Sequence, residues 1–242
     1  MKLAHGAAMT EVSHLDLDTA EGIRGDRSPA GRCPRQICVA REETLLACGV
    51  KPGGSRANII LRGPVRLASG CVLTVNRSVI RITFACEPCA HGARLAETPM
   101  RTFRQIDRYL GVITRGGRLE EDDAAVVRAG VFAAAPDDFR SRCRWALDFI
   151  PPGNAVTSLE FLNAVGASRS YLRALPRWLH AARATGGPAH RVLTSHMREP
   201  SWAPTAYADL AAEGGKPTAL QPFALVDALW FTHDGDSIDR CA

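Results

Sequence analysis

Two cysteines three residues apart, in Cys86-Glu87-Pro88-Cys89, are the residues of this chain best suited to chemistry. A thiolate is a nucleophile and a soft metal ligand, and two thiols at this spacing bracket one metal ion or exchange with each other. Both follow directly on residues 78–84, whose apolar positions alternate with period two, so a strand delivers them into a loop. A structural zinc site needs two more ligands; there is no second Cys-x-x-Cys, and His91 supplies one ligand at most. Upstream lie Gly25-Asp26-Arg27, Arg35-Gln36 and Arg56-Ala57-Asn58. Arginines beside a thiol lower its pKa and hold an anion bidentately. The other six cysteines (Cys33, Cys38, Cys48, Cys71, Cys143, Cys241) are scattered and read as small buried hydrophobes.

The elements that must position these groups fall into two parts. Over residues 1–132, short apolar runs recur between glycine and proline: 36–40, 58–61, 71–75 and 78–84. Asn76-Arg77 predicts a tight hairpin turn, and 41–48 a short helix ended by Gly49. Many short strands argue for a closed or partly closed β-barrel. At Ala135-Pro136-Asp137-Asp138 the pattern changes, with an aspartate placed to cap a helix. From there the period is helical, over 138–149, 157–165, 168–182 and 203–213, while 217–232 reads as helix or strand. The expected fold is therefore α+β in two domains, 1–132 and 138–242.

Eight cysteines in 242 residues would suit a disulfide framework only in a short secreted chain. Neither an apolar run long enough to span a membrane nor a signal-like N-terminus is present, so a cytoplasmic protein with reduced thiols and no membrane partner is expected. The net charge is +5, but nine arginines and only two acids, Asp148 and Glu160, lie between 140 and 198. Such an excess suits a phosphate-facing surface or a solvated helix face.

In order, Gly25-Asp26-Arg27, Arg35-Gln36, Asn58-Ile59, Arg62-Gly63, Cys86-Glu87-Pro88-Cys89, Gly111-Val112 and Gly116-Gly117-Arg118-Leu119 resemble a MOSC domain, the module found at the C-terminus of molybdenum-cofactor sulfurases and in small reductases of N-hydroxylated compounds. The resemblance covers about residues 10–128. It implies a β-barrel binding the molybdenum cofactor (molybdopterin), with Cys89 as metal ligand and catalytic thiol and Cys86 as its companion. It further implies Asp26, Arg27, Arg35, Gln36, Asn58 and Arg62 as cofactor-binding residues. This chain has Ser28 where many relatives have His, and Ala57 where many have Glu.

Residues 139–232 are similar to the DNA-binding domain of O6-alkylguanine-DNA alkyltransferases, and most of all to alkyltransferase-like proteins. The likeness rests on Ile150-Pro151-Pro152-Gly153, Val156-Thr157-Ser158, Tyr171-Leu172-Arg173 and Pro188-Ala189-His190-Arg191-Val192. It implies a small, mainly helical, winged-helix-like domain that flips a base, with Arg173 as the inserted finger. Ser158, Arg177, Pro188, Ala189, His190 and Arg191 would complete the nucleic-acid-binding set. Ala189 stands where the repair enzymes have their acceptor cysteine, so alkyl transfer by that route is excluded. Ser158 replaces a usual tyrosine, and Pro176 a usual glycine, where it is expected to kink the recognition helix. The leading expectation is a molybdenum-dependent oxidoreductase acting on N-hydroxylated or modified purines. The alternatives are a sulfur carrier with persulfide on Cys89 resolved by Cys86, and a non-enzymatic sensor of alkylated DNA. Expected partners are a modified purine or alkylated DNA, and a reductase or sulfur-donor protein.

Overall fold

A computed structural model describes residues 1, 9–26, 31–214 and 218–232. The chain divides into two compact units, Met1–Ala135 and Pro136–Thr232.

Among the described residues, the first unit has nine strands and three short helices. In chain order they are β1 (His14–Asp18), β2 (Gly22–Ile23), β3 (Ile37–Arg41), α1 (Glu42–Ala47), β4 (Ile59–Leu61), β5 (Val72–Val75), β6 (Ser78–Ala85), α2 (Ala90–Leu95), α3 (Met100–Phe103), β7 (Arg108–Arg115), β8 (Gly117–Glu120) and β9 (Ala125–Arg128). Six strands form one sheet in the order β4-β3-β7-β6-β5-β9, and β2-β1-β8 form a second. Leu15, Leu17, Ile23 and Leu119 of the smaller sheet share one core with Ile37, Val39, Leu73, Ile80, Ile82 and Ile113 of the larger. The two sheets thus enclose one core in a mixed α+β unit, and among the described residues β4 and β9 are the edges of the larger sheet.

Local sequence explains most of these elements. Asn76 takes the left-handed conformation (φ 51°) in the two-residue turn that joins β5 to β6, with Val75 facing Ser78. Strand β6 departs from the expected half-buried pattern, because seven of its eight residues are buried. Its polar positions are covered instead of solvated: Thr83 Oγ1 donates to Pro34 O at 2.9 Å, and the Arg81 guanidinium lies 4.2 Å from the Phe132 ring centre. Strands β7, β8 and β9 and helices α2 and α3 go beyond the runs that the sequence pattern marks.

The second unit is mainly helical. It contains α4 (Phe139–Leu147), β10 (Asn154–Thr157), α5 (Ser158–Ala164), α6 (Leu175–Ala184), β11 (Val192–Leu193), α7 (Ala206–Ala212), β12 (Thr218–Ala219) and α8 (Ala224–Val226), which runs into a π-helical turn, Asp227–Phe231. Strands β11 and β12 flank β10, both parallel to it. Asp138 caps α4, accepting from Ser141 N at 2.9 Å. Thr157 and Glu160 form a capping box at α5. The continuous helix expected over 168–182 is broken into a 3-10 turn, Arg169–Arg173, and α6. Pro176 causes no internal kink. It occupies the first turn of α6, where its missing N–H removes a donor that has no intrahelical partner anyway. Arg142, 1 % exposed, ties the start of the unit together through Val165 O (2.8 Å), Pro136 O (3.0 Å) and Asp137 O (2.7 Å).

Candidate functional site

Strand β7 lies between β3 and β6 in the sheet, and this order assembles the thiol site. Cys86, the first residue after β6, donates its N–H to the carbonyl of Arg108, the first residue of β7, at 2.7 Å. Cys38 comes from β3 on the other side of β7, where it is paired with Leu110. Its thiol donates a hydrogen bond to the Cys86 sulfur. That bond is the largest influence pulling the Cys86 pKa down to about 6, and it outweighs the opposing effect of burial; the Arg108, Arg35 and Arg56 guanidinium groups add to it. The same bond, followed by burial, pushes Cys38 well up.

Arg108 is 5 % exposed. Its Nη1 donates to Ser55 O at 3.2 Å, its guanidinium stacks 4.1 Å from the Phe103 ring centre, and its Nε has no partner among the described residues. A buried guanidinium with an unused donor is a costly arrangement that an added acceptor relieves. Arg56 holds the left-handed conformation, φ 59°, at the end of the 3-10 turn Pro52–Ser55. Asn58 fixes Cys38: its Oδ1 accepts from Cys38 N at 2.8 Å and its Nδ2 donates to Asp26 Oδ2 at 3.4 Å.

Cys89 is exposed and sits at the N-terminus of α2, where its Sγ accepts from Gly92 N at 3.3 Å. A Cβ at Gly92 would lie 2.7 Å from the Phe103 ring. The helix that carries Cys89 therefore packs on the same ring that supports Arg108. The two thiols differ in kind: Cys86 is half-buried among cations, and Cys89 is open to solvent.

The residues expected to bind a cofactor separate accordingly. Asp26, Asn58 and Arg35 act at the thiol cluster. Gln36 is buried and holds backbone, donating to Thr19 O at 2.9 Å and accepting from Ile113 N at 2.8 Å. Arg62 is a surface residue paired with Glu42 (3.1 Å) and Asp122 (2.8 Å). Arg27 lies outside the described residues. Cys38 and Arg108 were not singled out by the sequence; Cys38 reads there as one more apolar cysteine, and only the strand order reveals its role. Cys33, Cys71 and Cys143 are buried as expected, whereas Cys48 is half-buried and donates to Thr102 O at 3.5 Å; Cys241 lies outside the described residues. No three His, Cys, Asp or Glu side chains form a metal-binding group among the described residues.

In the second unit β10 pairs parallel with β11, with Thr157 beside Leu193, so Ser158 follows the pair at its C-terminal end and the Pro188–Arg191 segment precedes it at its N-terminal end. Ser158 is buried as the first residue of α5. Ala189 is fully buried in the 3-10 turn Ala189–Arg191. His190 Nε2 lies 2.9 Å from Glu213 Oε1, and Arg191 makes a bidentate pair with Glu213 and donates to Ile150 O at 2.6 Å. Burial raises the Glu213 pKa, but the Arg191 bonds, the Gly153 N–H and His190 outweigh it and bring the carboxyl down to about 2. Glu213 is thus the organising residue of this site, and the sequence reading missed it. A cleft of about 620 Å³ borders Arg183, Gly187, Pro188, His190, Arg191 and Glu213. Arg173 and Arg177 are exposed, on the 3-10 turn and on α6.

No family model and no curated protein matches the chain. Similar solved structures include the YUAD protein from Bacillus subtilis, at 19% identity and TM-score 0.40, covering 49% of this chain and 86% of that one. YiiM from Escherichia coli is 16% identical with TM-score 0.41, covering 72% and 86%. YiiM from Geobacillus stearothermophilus is 13% identical with TM-score 0.38, covering 51% and 78%. Likeness at this level leaves the functional reading to the residues of the site.

Proposed function

We propose that the first unit is a MOSC-type molybdenum-cofactor domain with Cys89 as the metal's protein ligand, and that the protein reduces N-hydroxylated or otherwise modified purines. The observation that carries this reading is the exposed thiol of Cys89 at the start of α2, three residues from the Cys86 thiol on which Arg108, Arg35 and Arg56 act. The residues suit the group. Cys89 offers one soft ligand, and the remaining ligands would come from the cofactor. The unused donor of buried Arg108, with Arg56 and Arg35 close to the same thiols, suits the cofactor's anionic group. When bound, the cofactor supplies an oxygen-atom acceptor for an N–O group. The chain holds Cys89 through the Gly92 N–H, and the Asn58–Asp26 bond keeps Cys38 and its strand in register.

In the second unit, the exposed Arg173 and Arg177 and the cleft beside His190 support binding of the base or of alkylated DNA; the buried Ala189 leaves that site without a nucleophile. The first unit is then the seat of the chemistry. The test is metal and pterin analysis of protein made in a cofactor-competent host. Wild type is expected to carry molybdenum and pterin, with Cys89→Ala losing most of the metal. Equal metal content in the two proteins would contradict the assignment of Cys89.

A further inference from the structure

We propose that the second unit holds a binding site for a small amine with an aromatic or branched apolar body, in a cavity between α5 and the chain that leads into α8. The cavity measures about 260 Å³ and is lined by Val156, Leu159, Leu225 and Val226, together with Phe223 and Glu160. Two anchors create it. Leu220 N donates to Ala155 O at 2.9 Å, and the Trp230 indole Nε1 donates to Ala164 O at 2.7 Å, so the segment between them is fastened at both ends against β10 and α5. Within that segment Phe223 takes the left-handed conformation, φ 66°, which is an outlier for a residue of its size and is free only to glycine. Its ring is 48 % exposed, so burial within the unit does little to offset the strained backbone. A π-helical turn, Asp227–Phe231, follows it, and such turns are frequent at functional sites. A strained, exposed ring in the wall of an apolar cavity is an arrangement that a ligand completes by covering the ring.

The lining sets the chemistry of the ligand. Scaled from a cavity of about 150 Å³ that holds benzene, this one takes a body of roughly ten heavy atoms. The aliphatic and aromatic lining selects a hydrocarbon body, and the few polar groups fix its orientation. Glu160 is the one ionisable residue that lines the cavity. Its Oε2 accepts from Thr157 N at 3.0 Å and from Thr157 Oγ1 at 2.8 Å in the capping box of α5. Its Oε1 has no donor among the described residues, and a carboxylate beside an apolar cavity favours an ammonium head over a neutral or anionic one. Binding involves no covalent step. The site uses neither the thiols of the first unit nor the cleft beside His190, so it stands independently of the functions proposed for them.

The experiment titrates full-length protein at neutral pH with phenethylamine, phenethyl alcohol and phenylacetate, followed by ligand-observed NMR. The amine is expected to bind saturably with a Kd below about 1 mM, in the range open to a ligand of this size. It should bind roughly tenfold more tightly than the alcohol, with phenylacetate weaker still. Glu160→Gln keeps the helix cap, because glutamine also serves in a capping box; it is expected to bring the amine to within about twofold of the alcohol. Phe223→Gly relieves the left-handed backbone, so it is expected to unfold no earlier than wild type and yet to bind the amine about fivefold more weakly. Leu159→Trp fills the cavity and is expected to abolish binding. Absence of saturable amine binding to wild type would overturn the proposal, as would equal amine affinity in wild type and Glu160→Gln, or undiminished binding to Leu159→Trp. A Phe223→Gly protein that binds the amine as wild type does would overturn it too, because the ring would then have no ligand to cover.

Discussion

Both units gather arginine around a reactive-looking motif, and they treat its charge in opposite ways. In the first unit, the guanidinium groups of Arg108, Arg35 and Arg56 add to the Cys38 bond in lowering the Cys86 pKa, and among the described residues neither Arg108 nor Arg56 pairs with a carboxylate. In the second, Arg191 and His190 converge on Glu213, and Arg183 pairs with Asp209 at 3.0 Å. A cation whose partner is a carboxylate is structural, whereas a cation left beside a thiol changes that thiol's chemistry. The contrast teaches that arginine content by itself says little. Of the nine arginines between 140 and 198, Arg142, Arg183 and Arg191 are committed to hydrogen bonds and ion pairs, while Arg140, Arg144, Arg169, Arg173, Arg177 and Arg198 are exposed.

The largest expected effect comes from breaking the neutralised site. Glu213→Ala leaves the nearly buried Arg191 charge without its carboxylate and is expected to cost about 2–3 kcal/mol of stability, read by denaturant unfolding. An unchanged midpoint would show that the pair is not structural. The same carboxylate predicts a pH response. Its folded pKa lies below the ordinary 4.5, near 2, so its stabilisation is complete above about 4.5 and is lost as pH falls from there toward 2. Thermal melts across that window should show the loss in wild type and a weaker one in Glu213→Gln.

On the thiol side, Cys38→Ala removes the strongest influence on Cys86 and is expected to raise its titration midpoint by about one unit. A shift downward, or none, would assign the thiolate to the arginines alone. The smallest effect concerns the exposed cations. Arg173→Ala is expected to weaken binding to an O6-alkylguanine duplex and to reduce the salt dependence by about one phosphate contact; equal affinity and slope in the two proteins would remove DNA from the account.

The parts of this picture that were legible in the sequence are those encoded locally. The apolar runs that became β3, β5 and β6, the Asn76 turn and the aspartate cap of α4 each depend on a few neighbouring residues. The helix over 168–182 was misread because helical period was weighed above the position of Pro176, which starts a helix as readily as it bends one. Two site residues escaped for a different reason. Cys38 meets Cys86 only because β7 is inserted between their strands, and Glu213 reaches Arg191 from outside the arginine-rich stretch. Neither pairing leaves a trace in spacing. The Cys86-x-x-Cys89 motif itself pointed to the right loop while concealing that its two thiols have different surroundings.

That difference is the central claim, and it is most directly tested by the pH dependence of alkylation at Cys86, followed residue by residue with mass spectrometry. A rate that rises along a single titration centred near pH 6 is the predicted result. A midpoint near the ordinary thiol value of 9.0 would contradict the account, because Cys86 would then be an unactivated cysteine and the arginines beside it would have no chemical consequence.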